Sequence, residues 1–185
     1  VVVDEELNSE KCKFTYGDIE KVLKMLLQER VSIRNIVVIL ETLANFGPIT
    51  HNAWDLTEKV REALGLQICK QYADEDNTLR VMSLSQELSQ LLLDHTAKSA
   101  GTEPFVALDP VDLRIWARAI HGGYTAIRSK GWLPIVMCSS MVRRLVWNMT
   151  NREMPDIIVI SDREIIAAGR SIKVEVLGEI AEDKA

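Results

Sequence analysis

The chain has 185 residues, of which 47% are apolar and 26% are charged. This length fits one compact domain or two small ones, and the composition excludes a disordered chain, a collagen-like repeat and a small disulfide-rich protein. The formal charge is −5, from 22 basic and 27 acidic residues. Nucleic-acid-binding proteins usually carry a basic surplus, so we expect no nucleic-acid partner.

Three cysteines, Cys12, Cys69 and Cys138, are far apart and form no C-x-x-C pair. This spacing does not suit a zinc site, and it indicates a reducing compartment. No apolar run approaches the roughly 20 residues that cross a bilayer, and we identify no signal peptide. Because the chain begins with Val1 rather than Met, we expect it to be a piece of a longer protein.

The first part of the chain has apolar residues at the three- and four-residue spacing of amphipathic helices. Thr15 is expected to cap a helix that runs to about Arg30, because Asp18 follows in the first turn. Ser32 is expected to cap a second helix. Only Val31 would then separate the two helices.

A third helix is expected to begin at Asn52 or Asp55. Gly65 lies inside this predicted helix and weakens the prediction, because glycine is a poor helix former. Residues 15–77 are therefore predicted to be a three-helix subdomain. Residues 1–14 are predicted to be the end of a preceding subdomain or a linker.

From residue 78 onwards, short β-branched runs alternate with helical segments. The predicted strands cover residues 79–84, 133–138, 156–160 and 172–177, and the predicted helices cover residues 85–97, 111–129 and 140–151. Gly122-Gly123 weakens one of these helices. Strands separated by helices favour a parallel sheet. We predict an α+β or α/β fold, in which a three-helix unit precedes a small α/β subdomain, residues 78–185, with a mostly parallel sheet.

The segment from Cys138 to Arg144 lies where a predicted strand ends and a helix begins. A Cys followed six residues later by an Arg has the spacing of cysteine phosphatases, in which a helix N-terminus lowers the thiol pKa and the Arg binds phosphate. However, the segment lacks a glycine that would let the backbone wrap an anion, and Met137 rather than a His precedes the Cys. A buried Cys138 that closes a strand is the favoured interpretation. The alternative hypothesis is a stand-alone phosphatase-like enzyme that uses Cys138 and Arg144.

Other candidate sites have simpler interpretations. His51, His95 and His121 share no helix face, and Asp74-Glu75-Asp76 lacks the staggered oxygen ligands of a calcium loop. The spacing shows no phosphate-binding loop and no catalytic triad. We expect no catalytic residue, no metal and no cofactor.

Arg30, Arg34 and Glu41 stand out among the charged residues of the first two predicted helices. Arg34 lies opposite the apolar stripe of the second helix, and Arg30 ends the first, where a cation suits the helix dipole. Two interpretations stay open. The residues are solvated charges and caps, or they contact another subunit or partner, since arginine is enriched in interfaces.

Several long, gapless runs agree in order and spacing with one known family. They are Gly17 to Asn35 (which includes Glu-Arg-Val-Ser-Ile-Arg-Asn), Ile39 to Ala44, Leu56 to Leu64, Trp132 to Cys138, Met154 to Ile165 and Ile172 to Gly178. With these runs the chain resembles the type III secretion export-gate family, FHIPEP, which serves flagella and injectisomes. The resemblance covers the C-terminal part of the family's cytoplasmic region.

The resemblance implies a non-enzymatic platform that assembles as a ring, generally of nine copies, on the cytoplasmic face of the bacterial inner membrane. It implies contacts with copies of itself and with other export-apparatus proteins, whereas export chaperones and substrates dock mainly through subdomains that are missing here. The membrane is reached only through the missing N-terminal part. The helical unit is expected to pack against a neighbouring subunit, with Arg30, Arg34 and Glu41 as candidates. The runs favour a flagellar system, but an injectisome system stays open.

Overall fold

A computed structural model describes residues 14–98 and 101–182, and these residues contain eight α-helices. The helices are α1 (Tyr16–Gln28), α2 (Ile36–Phe46), α3 (Ala53–Ala63), α4 (Gly65–Tyr72), α5 (Gln86–Asp94), α6 (Pro110–Ser129), α7 (Arg143–Thr150) and α8 (Asp162–Ala168). The first four precede every strand. A short 3₁₀ turn, Gly169–Ser171, follows α8.

The same residues contain one parallel sheet and one short antiparallel pair. The strands are β1 (Thr78–Leu84), β2 (Thr96–Ala97), β3 (Phe105–Val106), β4 (Ile135–Cys138), β5 (Ile158–Ser161) and β6 (Lys173–Ile180). The sheet has the order β5-β4-β1-β6 with every neighbouring pair parallel, and β2 pairs with β3. This arrangement confirms the predicted fold class, since helices come first and a parallel sheet with intervening helices follows.

Two hydrophobic cores lie on the two faces of the sheet. Side chains alternate between them along each strand, so Val81 is in the first core and Met82 is in the second. The first core packs α1–α4 and α8 on one face, and the second packs α5–α7 on the other. The first core thus joins residues from both sides of residue 77, and the predicted division into subdomains at that residue stays a prediction.

The start of α1 follows from a local signal. The Thr15 hydroxyl accepts a hydrogen bond from the Asp18 amide, and the Asp18 carboxylate accepts one from the Thr15 amide, which is a capping box. The predicted cap at Thr15 is therefore confirmed. The helix ends at Gln28, slightly before the predicted end.

The predicted cap of the second helix at Ser32 is wrong. Helix α2 begins at Ile36 with Asn35 as its N-cap residue. The chain reverses at Arg30, which has a φ of 60°, and Val31 is buried in the first core. The link between α1 and α2 is therefore anchored in the core by Val31, and the burial of this residue outweighs the capping preference of Ser32.

The predicted third helix is two helices, so the helical unit has four helices rather than three. Asn52 is the N-cap residue of α3, and the helix breaks at Leu64, directly before Gly65. A Cβ atom on Gly65 would lie 2.4 Å from the carbonyl oxygen of Glu164 in α8. The glycine therefore permits a close crossing of α4 and α8.

The sequence analysis missed α8. Ser161 accepts a hydrogen bond from the Glu164 amide, and the Glu164 carboxylate accepts one from the Ser161 amide, so this helix also begins with a capping box. Helix α6, by contrast, continues through its two glycines. A Cβ atom on Gly123 would lie 2.5 Å from the side chain of Ile180, which explains why the helix has a glycine there.

Candidate interaction site

Seven charged side chains, most of them buried, form an ionic cluster where the helices meet the sheet. They come from the end of α1, from α3, from the loop before β3, and from α7 and α8, and they are Glu29, Glu58, Arg61, Glu103, Arg143, Arg144 and Glu164. The cluster is the largest concentration of charge in the described interior. It joins residues that are far apart in the sequence.

Arg143 is the centre of the ionic cluster and is completely buried. Its Nε donates to Glu58 Oε2 at 2.6 Å, and its Nη2 donates to Glu29 Oε1 at 3.0 Å. Charge-assisted hydrogen bonds of this kind are the strong ones in proteins. Paired carboxylates on two sides keep the guanidinium charged, and they raise its pKa further although burial opposes the charge.

Glu29 is shared by three arginines. Its carboxylate accepts hydrogen bonds from Arg143, from Arg61 at 3.2 Å and from Arg144 at 2.7 Å. Burial opposes ionisation of Glu29, but the charges of the three guanidinium groups outweigh burial and lower its pKa to about 2. Glu29 is therefore ionised at every physiological pH.

Two arginines of the ionic cluster also close one edge of the sheet. The carbonyl oxygen of Val159 in β5 accepts hydrogen bonds from Arg61 Nη2 at 3.2 Å and from Arg143 Nη1 at 3.4 Å. Strand β5 is an edge strand, and free edge carbonyls are a template for pairing with another chain. The guanidinium groups satisfy this carbonyl inside the molecule.

The geometry around Cys138 gives no support to the phosphatase hypothesis. Cys138 closes β4 as a buried residue, and burial raises the pKa of its thiol well above the ordinary value. Arg144 donates to Glu29 and Glu103 and stacks on the Trp147 ring at 4.5 Å. The Ser140 amide, which would face a phosphate, donates to Asp162 at 2.8 Å. The segment thus has neither a thiolate nor free anion donors.

Arg30, Arg34 and Glu41 are all exposed, but their contacts within the chain differ. Arg30 Nη2 donates to the carbonyl oxygen of Pro155 at 3.3 Å, so Arg30 contacts the loop before β5 within the same chain. Neither Arg34 nor Glu41 has an ion-pair partner among residues 14–98 and 101–182. Their role at an interface stays a prediction.

The histidines and the acidic turn have local contacts. His95 lies 3.0 Å from the carbonyl oxygen of Leu91, and the His51 ring lies 5.5 Å from that of Phe14. Asp74 accepts from Arg80 and from two amides of its own turn. Within the described part of the chain, no three His, Cys, Asp or Glu side chains come together as metal ligands.

None of the helices in the described residues has the length and apolarity needed to cross a bilayer.

The ionic cluster was missed by the sequence analysis, although one signal for it exists. Thr57, Arg61, Leu64 and Ile68 follow one another at spacings of four, three and four residues. All four side chains are buried. A charge inside a buried stripe predicts a buried counter-charge. The partners themselves come from distant segments, which periodicity does not reveal.

Comparison with known proteins gives a consistent result. The model of the FHIPEP family matches residues 2–169. The flagellar biosynthesis protein FlhA of Treponema pallidum is 35% identical over 93% of this chain, and that of Bacillus subtilis is 34% identical over 89%. In both comparisons the match covers 24% of the relative, so the chain spans about a quarter of the length of these relatives.

Solved structures agree with this fold. The C-terminal domain of InvA has a TM-score of 0.80 and 26% identity, and the match covers 97% of this chain and 55% of that one. The Chlamydia pneumoniae CdsV protein, in complex with CdsO, has a TM-score of 0.79 and 26% identity over 97% of this chain and 54% of that one. The nonameric SctV-C of EPEC shares the fold, with a TM-score of 0.76 and 22% identity over 97% of this chain and 55% of that one. Because the family model matches most of the residues and the relatives agree along nearly the whole chain, the chain belongs to the FHIPEP family of type III secretion export gates.

Proposed function

We propose that this chain is a non-enzymatic assembly and docking part of the cytoplasmic region of a type III export gate. Membership of the FHIPEP family supports the proposal, as do the nonameric state of SctV-C and the complex between CdsV and CdsO. In the whole protein, the chain packs against neighbouring copies in a ring at the cytoplasmic face of the inner membrane. Other export-apparatus proteins bind this platform.

The observation that carries the ring proposal is the exposed face of α2. Val37 and Glu41 are four residues apart, so they lie on one side of α2, and Arg34 lies in the link just before the helix. Val37 is an apolar side chain that is 58% exposed, and opposite charges flank it without ion-pair partners in the described residues. An exposed apolar residue with unpaired charges on both sides is suited to a complementary protein surface.

Docking of export chaperones and substrates is divided between segments. We propose that the subdomains that precede this chain in its relatives hold most of that docking site, and that this chain contributes to the same platform. The flagellar relatives from Treponema pallidum and Bacillus subtilis favour a flagellar system. Several neighbours of known structure belong to injectisomes, so the same architecture serves both systems.

The ring proposal is tested with the complete cytoplasmic region of the parent protein. Arg34→Glu and Glu41→Arg are made singly and together, and Arg152→Glu, another exposed arginine without an ion pair in the described residues, is the matched control. We expect each single reversal to reduce the fraction of rings seen by native mass spectrometry and electron microscopy, and the control to keep it. Rings that form equally well in both single reversals contradict the assignment of this face.

A further inference from the structure

The longest helix of the described residues, α6, has a basic side. Arg114, Arg118 and Arg128 are exposed and fall on one side of the helix, because their spacings of four and ten residues are close to whole turns. Asp112 is the single acidic residue of α6, and its carboxylate lies 3.7 Å from His95 Nε2. The chain as a whole carries a net charge of −5, so this side of α6 differs in sign from the average surface.

Two of these arginines are unpaired. Arg114 and Arg118 form no ion pair and no side-chain hydrogen bond within the described part of the chain, whereas Arg128 lies 3.6 Å from the Asp156 carboxylate. Asp109 caps the helix nearby, but its carboxylate accepts hydrogen bonds from two amides of the first turn. The two guanidinium groups are therefore available to an acidic partner.

An apolar row runs beside the unpaired arginines. Val111, Ile115 and Ala119 follow one another at spacings of four residues, and the Val111 side chain is 56% exposed. Together with the two arginines they line a groove of about 470 Å³, which we call the α6 groove. Glu182, just after β6, is the one acid among the described residues that line it. The α6 groove therefore combines an apolar row with a positive surplus.

We propose that the α6 groove binds an acidic amphipathic helix of a protein partner. Side chains four residues apart on a helix repeat about every 6 Å, so aspartates or glutamates at that spacing meet Arg114 and Arg118 in register. Apolar residues beside them pack on Val111, Ile115 and Ala119, as in other complexes in which a helix lies in a groove. Only the place of the partner in the export apparatus rests on the proposed function.

The surroundings favour a helix over other anionic partners. A helix satisfies its own backbone groups, whereas an extended segment would leave N–H and C=O groups without partners against these side chains. A bilayer with anionic lipids is flat and does not enter a groove, and it would bring its charge against Glu182. Nucleic acid requires far more basic charge than the exposed side of α6 provides.

A labelled peptide helix tests the proposal with the complete cytoplasmic region of the parent protein. The peptide has about four turns, with a stripe of leucines and with glutamates four residues apart beside it, and its control has glutamines in place of the glutamates. Fluorescence anisotropy measures binding. We expect saturable binding of the glutamate peptide and about tenfold weaker binding of the glutamine peptide, which corresponds to about 1.4 kcal/mol for two ion pairs.

Variants of the α6 groove separate the charges from the apolar row. We expect Arg114→Gln and Arg118→Gln each to weaken binding of the glutamate peptide about threefold. Val111→Ser is expected to weaken both peptides, because it removes part of the apolar row. Arg152→Gln is the control, at an exposed arginine that has no ion pair among the described residues, and should change neither affinity.

Five results overturn the proposal. The first four are no saturable binding of the glutamate peptide, equal binding of both peptides, affinities that the arginine variants leave unchanged, and affinities that Val111→Ser leaves unchanged. The fifth is tighter binding to phosphatidylglycerol vesicles that the same variants abolish, which would assign the arginines to a membrane. The arginine variants are expected to keep the rings that the α2 test measures, so the α6 groove and the ring contact fail or succeed separately.

Discussion

Gly65 and Gly122 both lie in helices, but only Gly65 touches a neighbouring element. A Cβ atom on Gly65 would lie 2.4 Å from a backbone oxygen of α8, whereas a Cβ atom on Gly122 meets nothing within 4 Å. Alanine is favoured over glycine in a helix by about 1 kcal/mol. Overpacking costs about 1–3 kcal/mol, or more where backbone must move. The close contact therefore makes an alanine at position 65 destabilising, whereas helix propensity makes an alanine at position 122 stabilising.

We expect Gly65→Ala to lower the free energy of unfolding by about 1–3 kcal/mol and Gly122→Ala to raise it by about 0.5–1 kcal/mol. Urea unfolding followed by circular dichroism measures both. A Gly65→Ala protein that is as stable as the Gly122→Ala protein would show that α4 and α8 do not cross closely.

Glu29 predicts a dependence of stability on pH. Its pKa is lowered to about 2 in the folded chain from an ordinary value of 4.5. Because the folded pKa is depressed, the unfolded chain takes up the proton first as pH falls. The contribution of Glu29 is therefore complete above about pH 4.5 and is lost between that pH and about pH 2, to an extent of about 3 kcal/mol.

Glu29→Gln tests this contribution. We expect it to destabilise the fold at pH 7 by about 3–5 kcal/mol, because it removes the charged carboxylate that three arginines share. The variant should also lose less stability than the wild type between pH 5 and pH 3. Glu20→Gln, at an exposed pair with Lys24, should change little. Parallel pH profiles for wild type and Glu29→Gln contradict the assignment.

At the scale of elements, local signals set the helix starts that the sequence analysis found. The Thr15 and Asp18 pair predicts α1, and the equivalent Ser161 and Glu164 pair, which went unnoticed, would have predicted α8. The start of α2 could not be predicted in this way, because the burial of Val31 decides the path of the link. Spacing could also have indicated a buried stripe through Arg61, but its partners are fixed only by the packing of distant elements.

The two capping boxes differ in burial, and this difference is measurable. Ser161 is buried, whereas Thr15 lies at an exposed helix start. We expect Ser161→Ala to cost about 1–2 kcal/mol and Thr15→Ala about 0.5–1 kcal/mol. Urea unfolding of the two variants compares them directly, and an equal or reversed order contradicts the role of burial.

At the scale of the whole molecule, the first core and the ionic cluster tie the helical part to the sheet. The α/β architecture was predictable from the alternation of strands and helices, but this junction was not, since it depends on long-range contacts. We expect the described region to unfold as one cooperative unit. Hydrogen exchange measured by mass spectrometry should give α3 and β4 the same opening free energy in low denaturant. Exchange of α3 at clearly lower free energy would instead support two independent subdomains.

The ionic cluster also restricts how parts of export gates can be recombined. Glu29, Glu58 and Arg61 lie before residue 77, and their partners Arg143, Arg144 and Glu164 lie after it. A chimaera that takes the helices from one relative and the sheet from another keeps the cluster balanced only if both halves carry matching charges. The sequences of these two segments are therefore coupled through side chains that are mostly buried.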